Sequence, residues 1–310
     1  MSTAETPPAA ITPASNPPQP DHADGKPEYP ALQIKAHAMA TRAQKRSLLI
    51  GRLDIILIIV AAIVTAASVV APAPFVSILA TLAAVAVALT FVRQVVEPRL
   101  PYQQHWARAR AVAEDAKTMA WRYMMGVKPF DDPDADARFI EELKNSAQAP
   151  AAAPLNLTLS DGREITPSMT DVRALPAAER KELYLRHRLG EQIDYYTAKS
   201  QSYSQSARKW ESVSNLSRLG ALAVALVHIW IAAAAAPLQL FVALSASAQA
   251  WTELVKFRDL SDLYARTAAD LVNERRALSV ATTDETVAAC IADAETIMSR
   301  EHGTWIAEKT

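Results

Sequence analysis

Glycine is scarce in this chain: there are 7 in 310 residues, and no two lie close enough to form a G-x-G-x-x-G loop. Phosphate-cradling loops need glycine for close backbone approach and left-handed turns. Dinucleotide-fold and Walker-type chemistry is therefore excluded, and a Gly-turned β architecture is disfavoured. Cysteine is scarcer still, with Cys290 alone. That excludes an internal disulfide framework and any multi-cysteine metal site. Net charge is lacking too: 32 Lys and Arg against 33 Asp and Glu leave −1, so there is no bulk electrostatic case for a nucleic-acid partner. None of the six histidines has a Cys or His partner at metal-ligand spacing, and no H-E-x-x-H occurs. The expectation is a protein with no catalytic residues, no cofactor and no metal.

What is present is strongly segregated. No charged residue occurs from Ile55 to Thr90, or from Leu219 to Thr252. About 20 apolar residues cross a bilayer core, so the first block is too long for one crossing and suits two. Ala71-Pro72-Ala73-Pro74 cuts it near its middle, and proline stops a helix. This predicts spans near 53–71 and 75–95. The second block breaks at Pro237 and predicts shorter spans near 219–236 and 238–255. Lys35, Arg42, Lys45, Arg46 and Arg52 precede the first hairpin and Arg93 and Arg99 follow it. Arg208, Lys209 and Arg218 precede the second, and Lys256 and Arg258 follow; the tips carry no basic residue. The positive-inside rule then predicts a multi-pass protein of the cytoplasmic (inner) membrane with both termini cytoplasmic. Residues 1–30 hold eight prolines and read as a disordered Pro/Ala-rich tail.

The polar segments read as helices with one exception. Asp131-Asp132-Pro133-Asp134-Ala135-Asp136 fails the EF-hand pattern, because Ala137 and Leu143 stand where Gly and Glu are required; it reads as acidic capping of a short helix around Phe139–Leu143. Residues 147–175 read as a linker with a small β-hairpin, since Leu155, Leu157 and Leu159 alternate with polar residues before Asp161-Gly162. From Pro176 a long helix carries an apolar seam, Leu189, Ile193, Tyr196, Ser200, Tyr203, Ala207 and Trp210, spaced by fours and threes and running into the third span. The seam suits packing on a helix of the same chain or of another. A last helix opens at a capping box, Thr282-x-x-Glu285, and places Cys290 in an apolar stripe, as a buried, inert thiol.

Polar residues inside an apolar span are candidate functional positions, because lipid-facing polarity is penalised. Ser245, Gln249 and Glu253 fall on one face of the fourth span, and His228 lies in the third. That face is expected either to pack against another helix through small residues or to line a pore in an oligomer.

The two halves share a plan: polar helix, Ala-Pro hairpin, then an exit helix bearing Ala109-Arg110-Ala-Val-Ala-Glu114 or Ala265-Arg266-Thr-Ala-Ala-Asp270. The resulting fold class is an all-α membrane protein of two parallel hairpin repeats, covering 31–146 and 176–310, plus the β-hairpin insertion. Trp106-Ala-Arg-Ala-Arg-Ala-Val-Ala-Glu114, Trp121-Arg-Tyr123, Leu175-Pro-Ala-Ala-Glu-Arg180, Arg188-Leu-Gly-Glu-Gln-Ile-Asp-Tyr-Tyr196 and Ser299-Arg-Glu-His-Gly-Thr-Trp305 resemble tandem SLATT-domain proteins. The resemblance implies two-transmembrane effector domains of bacterial nucleotide-signalling conflict systems. It also implies no catalytic residues and a nucleotide-signalling enzyme or sensor as the trigger. The bilayer is the partner the apolar blocks call for, and a homo-oligomer is expected because four spans in one chain are too few to enclose a wide pore. The expected function is a membrane effector that forms a pore or perturbs the membrane on a cytoplasmic signal; the alternative is a non-enzymatic scaffold or sensor that recruits cytosolic partners through its helices.

Overall fold

The computed structural model describes residues 26–96, 102–160, 164–231 and 235–307, and every regular element among them is helical. In chain order the α-helices are α1 (Ala31–Val70), α2 (Ala73–Val96), α3 (Tyr102–Met125), α4 (Ala135–Gln148), α5 (Pro167–Ala174), α6 (Ala177–Leu183), α7 (Glu191–His228), α8 (Ala235–Val255), α9 (Phe257–Val280) and α10 (Asp284–Ala307). A seven-residue π-helical segment, Tyr184–Gly190, joins α6 to α7 without interruption.

α1 is one rod of 40 residues, about 60 Å at 1.5 Å per residue, and its first half is polar and basic while its second half is apolar. Proline is absent from it, and it stops where Ala71 turns extended, at ψ 148°, ahead of Pro72. α2 returns alongside it. α1 up to Thr65 and Pro74–Val92 in α2 are long and apolar enough to cross a membrane, and only 7% and 6% of their most apolar stretches are buried inside the molecule. Phe75, Ile78, Leu82, Phe91 and Ile63 all stand about half exposed or more, so these helices turn apolar side chains outward on nearly every face. No other described helix reaches that length and apolarity. The third predicted span is helical only as far as His228, and α8 is diluted by Ser245, Ser247 and Gln249. The tip at 232–234 lies outside the described residues, as do most of the predicted tail and the Asp161-Gly162 turn.

The helices repeat in order. α1 packs on α2 and α3, and α7 on α8 and α9, while α1 also packs on α8 and so joins the two hairpins. α10 closes the polar bundle against α3 and α9. The bundle core is aromatic: Trp121, Tyr123, Phe130, Phe139, Tyr184, Tyr196, Phe257 and Tyr264 are each no more than 1% exposed. Gly126, at φ +65°, ends α3 in the left-handed conformation that favours glycine.

The expected β-hairpin is not formed. Leu155 ends a 3-10 turn, Ala153–Leu155, and 156–160 carry no strand. The leucine alternation does turn Leu155, Leu157 and Leu159 toward the core, but side chains rather than a second strand satisfy the backbone. The Lys35 ammonium donates to the Thr158 carbonyl at 3.3 Å and to Ser160 Oγ at 2.6 Å. Glu164, 2% exposed, accepts from Ser160 N at 2.7 Å and from Leu32 N at 2.9 Å, so it caps the start of α1. Glu28 and Thr166 close the same strap: Glu28 N donates to Ser168 Oγ at 2.8 Å, and Thr166 Oγ1 donates to the Glu28 carbonyl at 3.1 Å. Residues 26–30, inside the segment expected to be tail, are therefore packed against the fold. The cap of α10 also sits one residue later than expected, with Thr283 Oγ1 accepting from Thr286 N at 3.3 Å.

Glu164→Ala removes an acceptor shared by two buried or half-buried N–H groups. It is expected to lower the stability of the detergent-solubilised full-length protein by about 1–3 kcal/mol. Thermal unfolding checks this; an unshifted midpoint would show that the strap does not hold α1.

Candidate functional site

The polar positions of the second hairpin separate by location. Ser245 is 7% exposed and lies 3.3 Å from the Ser214 hydroxyl of α7. The Gln249 amide lies 3.3 Å from both hydroxyls. With its oxygen turned toward α7, it also accepts from the Arg218 guanidinium, 3.2 Å away at Nε. These two residues thus meet α7 and link it to α8. The helices approach closely because Gly220 has no Cβ: one placed there would lie 2.7 Å from the Phe241 ring. Glu253 is exposed in the last turn of α8, and His228 is exposed at the opposite end of the hairpin, its Nδ1 3.3 Å from the Ile231 carbonyl. The structure does not bring these two to the serine–glutamine contact.

The seam finds its partner within the chain. Leu189, Ile193, Tyr196, Tyr203 and Ala207 are buried and Trp210 is partly so. Tyr196 and Tyr203 each stack at 5.7 Å on Tyr264 of α9, Tyr203 lies 6.1 Å from Phe257, and Trp210 meets Trp251 of α8 at 6.4 Å. At the polar step, the Ser261 hydroxyl of α9 donates to the Ser200 carbonyl at 3.0 Å.

Sequence reasoning missed the hub from which α7 starts. Arg188, in the π-helical segment, and Glu295, on α10, are 1% and 0% exposed. They form a two-point pair: Arg188 Nη2 donates to Glu295 Oε2 at 2.7 Å and Nε to Oε1 at 2.9 Å. Tyr184 OH donates to Oε1 at 3.0 Å and Thr118 Oγ1, on α3, to Oε2 at 2.8 Å. Beside them Trp121 Nε1 donates to Tyr29 OH at 3.0 Å, and the Lys117 ammonium lies 5.5 Å from the Tyr29 ring centre. Lys26 pairs with Glu191 at 2.8 Å, at the first residue of α7. Both halves of the chain, and the segment before α1, converge on this point.

The electrostatics follow from burial. Burial pushes the Lys117 pKa down to about 8, against the pull of Glu114. Burial pushes Tyr29 up to about 12 and Tyr184 well above the usual phenol range. For Arg188 burial opposes the charge, but the Glu295 carboxylate outweighs it and drives the pKa upward. Burial, with Glu274 and Asp293 nearby, likewise raises the Cys290 thiol, which sits partly buried in its stripe. The hub is thus a buried two-point clamp between Arg188 and Glu295. Its two residues each interrupt an apolar stripe, Glu295 four after Ile291 and Arg188 four after Tyr184, and that interruption is the sequence signal that could have found them. Among the described residues, no three His, Cys, Asp or Glu side chains are grouped to hold a metal ion.

Two measurements test the clamp. Glu295→Leu leaves a buried guanidinium without its carboxylate and is expected to cost about 3–5 kcal/mol, most of it recovered in Arg188→Met/Glu295→Leu. A double variant as unstable as the single one would count against the pair. Lys117, with a folded pKa of about 8 below its unfolded value of 10.5, destabilises the fold fully below pH 8. That penalty fades as pH rises between the two values, because the unfolded state then binds more protons. Stability should rise from pH 8 toward pH 10, and Lys117→Met should flatten the rise.

Comparison with known families finds two matches in series. Residues 30–181 match the model described as SMODS and SLOG-associating 2TM effector domain 3, and residues 184–305 match SMODS and SLOG-associating 2TM effector domain 1. No curated protein and no solved structure matches.

Proposed function

This chain belongs to the SLATT family, carrying two of its 2TM effector domains in tandem, and on that premise we propose that it is a non-enzymatic effector of the bacterial inner membrane. In this reading it assembles into a homo-oligomer and permeabilises the bilayer when a cytoplasmic nucleotide-signalling enzyme or sensor acts on its bundle, as part of a conflict system. The observation that carries the reading is the path of α7. One helix of 38 residues begins beside the Arg188–Glu295 pair and ends among exposed apolar side chains, Leu219, Leu222 and Leu226. A rigid helix passes rotation or translation along its length, so a change at the hub reaches the membrane end.

Topology is proposed on the same footing. Lys26 and α10, near the two ends of the chain, dock on one bundle, which supports both termini lying on one side, and the basic flanks of the hairpins favour the cytoplasm. Both hairpin tips then face outward. Four spans in one chain are too few to enclose a wide pore, so permeation needs several copies. Glu253, exposed at the cytoplasmic end of α8, would form a ring of carboxylates in such an oligomer and favour cations.

The test is ion flux through liposomes carrying the purified full-length protein. Glu253→Lys is expected to shift selectivity toward anions, and Gln249→Leu to lower flux while leaving insertion intact. Liposomes that stay sealed under every activating condition, with protein inserted, would remove the permeabilising role. Unchanged selectivity in Glu253→Lys would place Glu253 off the ion path.

A further inference from the structure

We infer that Lys256 is a rotary switch between α8 and α9: its backbone decides which face of α8 packs on α7 and which turns outward. Both helices run antiparallel to α7. On α8, Ser245 lies 3.3 Å from Ser214 and the Trp251 ring 6.4 Å from Trp210. On α9, the Phe257 ring lies 6.1 Å from Tyr203 and Tyr264 5.7 Å from Tyr196. The two contact faces are out of phase. Val255 and Phe257 are both buried, at 6% and 1% exposed, yet residues two apart on a continuous α-helix point about 200° apart. Lys256 reconciles them by adopting φ 55° and ψ 50°. With a helical Lys256, steps of four and three back from Phe257 would bring Glu253, Ala250, Ala246 and Ala243 onto α7. The first three of these are exposed now. Ser245, now buried, would turn outward.

Each position trades one cost for another. A left-handed backbone is unfavourable for lysine, and no side chain caps the start of α9. A helical Lys256 would remove the first cost. It would also give the N–H groups of Phe257, Arg258 and Asp259 the carbonyls of Glu253, Leu254 and Val255. The ladder on either side is already closed, with Lys256 N donating to the Thr252 carbonyl at 2.8 Å and Leu260 N to the Lys256 carbonyl at 3.0 Å. The present position is held by the contact among Ser214, Ser245 and Gln249 and by Trp210 on Trp251. The other face suits the same approach, because Ala243, Ala246 and Ala250 let two backbones come close. α9 does not turn with α8: Tyr196, Tyr203 and Tyr264, with the Arg258–Glu211 pair at 2.5 Å, fix it to α7. The turn carries Glu253 from the outward face to α7. Its consequence for permeation rests on the role proposed for Glu253; the switch itself does not.

The experiment uses the full-length protein in lipid nanodiscs, with Cys290→Ser as background. Disulfide closure within one chain is read from the intact mass after free thiols are alkylated. Ser214→Cys/Ser245→Cys reports the present face and Ser214→Cys/Ala246→Cys the other, since successive helix positions point about 100° apart. The parent should close the Ser245 pair readily and the Ala246 pair in a slower minority. Lys256→Gly, which adopts the left-handed backbone freely and disfavours helix, should lower the ratio of Ala246 to Ser245 closure about tenfold. Lys256→Val, whose branched side chain is an outlier in that conformation, should raise it about tenfold. Lys256→Ala removes the charge and keeps the left-handed cost, so the ratio should hold within about twofold. No closure of the Ala246 pair in the parent, or a ratio unmoved by Lys256→Gly, would make Lys256 a fixed cap and overturn the switch. Equal shifts in Lys256→Ala and Lys256→Gly would assign the effect to charge and overturn it too. Closure is read whether or not liposomes leak, so failure here is distinct from failure to permeabilise.

Discussion

The structure depends on one buried ion pair. Glu295 gives up water entirely, and it does so because four side-chain hydrogen bonds from three residues replace the solvent: two from Arg188, one from Tyr184 and one from Thr118. These donors come from two structural units. Thr118 belongs to the central helix of the first repeat, while Tyr184 and Arg188 belong to the turn that opens the second. A buried pair of this kind adds little net stability over an apolar contact, but its geometry admits few alternatives. In this fold it sets the register among α3, α10 and the root of α7, which apolar packing alone would leave free to slide. The π-helical turn widens the helix where Arg188 must reach inward, and such turns often occur where side chains carry a role beyond packing.

Much of the fold was legible because helices announce themselves by periodicity and membrane segments by the absence of charge. The hairpin break at Ala71-Pro72, the helix around Phe139 and the seam from Leu189 to Trp210 follow from local rules. The β-hairpin did not follow, for a physical reason. Alternation of Leu155, Leu157 and Leu159 reports which side chains face the core, and an extended segment laid on a bundle produces the same alternation as a strand. What distinguishes them is the backbone's partner. Here that partner is Lys35 and Glu164, 123 and 4 residues from the groups they bind. The hub was missed for a related reason: Arg188 and Glu295 are 107 residues apart, and a charged residue on a helix reads as surface unless its position in the stripe is weighed above its charge.

The two repeats are alike in order but not in duty. α3, the exit helix of the first, is enclosed by α1, α4, α5 and α10, and Arg110 and Glu114 of its motif are 5% and 8% exposed. The matching Arg266 and Asp270 of α9 are exposed. The first repeat therefore supplies the centre of the bundle and the second is assembled around it. The hairpins differ in the same sense, with the first long and apolar on nearly all faces, the second shorter and joined internally by Ser214, Arg218, Ser245 and Gln249.

This asymmetry bears on how motion can pass through the molecule. α1 and α7 run unbroken from the bundle to their apolar ends, so any rotation of their polar ends carries along the whole helix. α8 and α9 are not continuous in the same way: Lys256 adopts φ 55° and ψ 50° between them, a conformation that costs a non-glycine residue about 1–2 kcal/mol. The chain direction changes there, and α9 stays locked to α7 by Tyr196, Tyr203 and Tyr264. A shift of α7 would carry α9 with it as a unit, while α8, beyond the break and packed on α1 as well, would respond to both rods. The contact among Ser214, Ser245 and Gln249 lies where those two influences meet. The polar face of α8 is thus coupled to the hub through α7 and to the first hairpin through α1, so its environment depends on both domains rather than on the second alone.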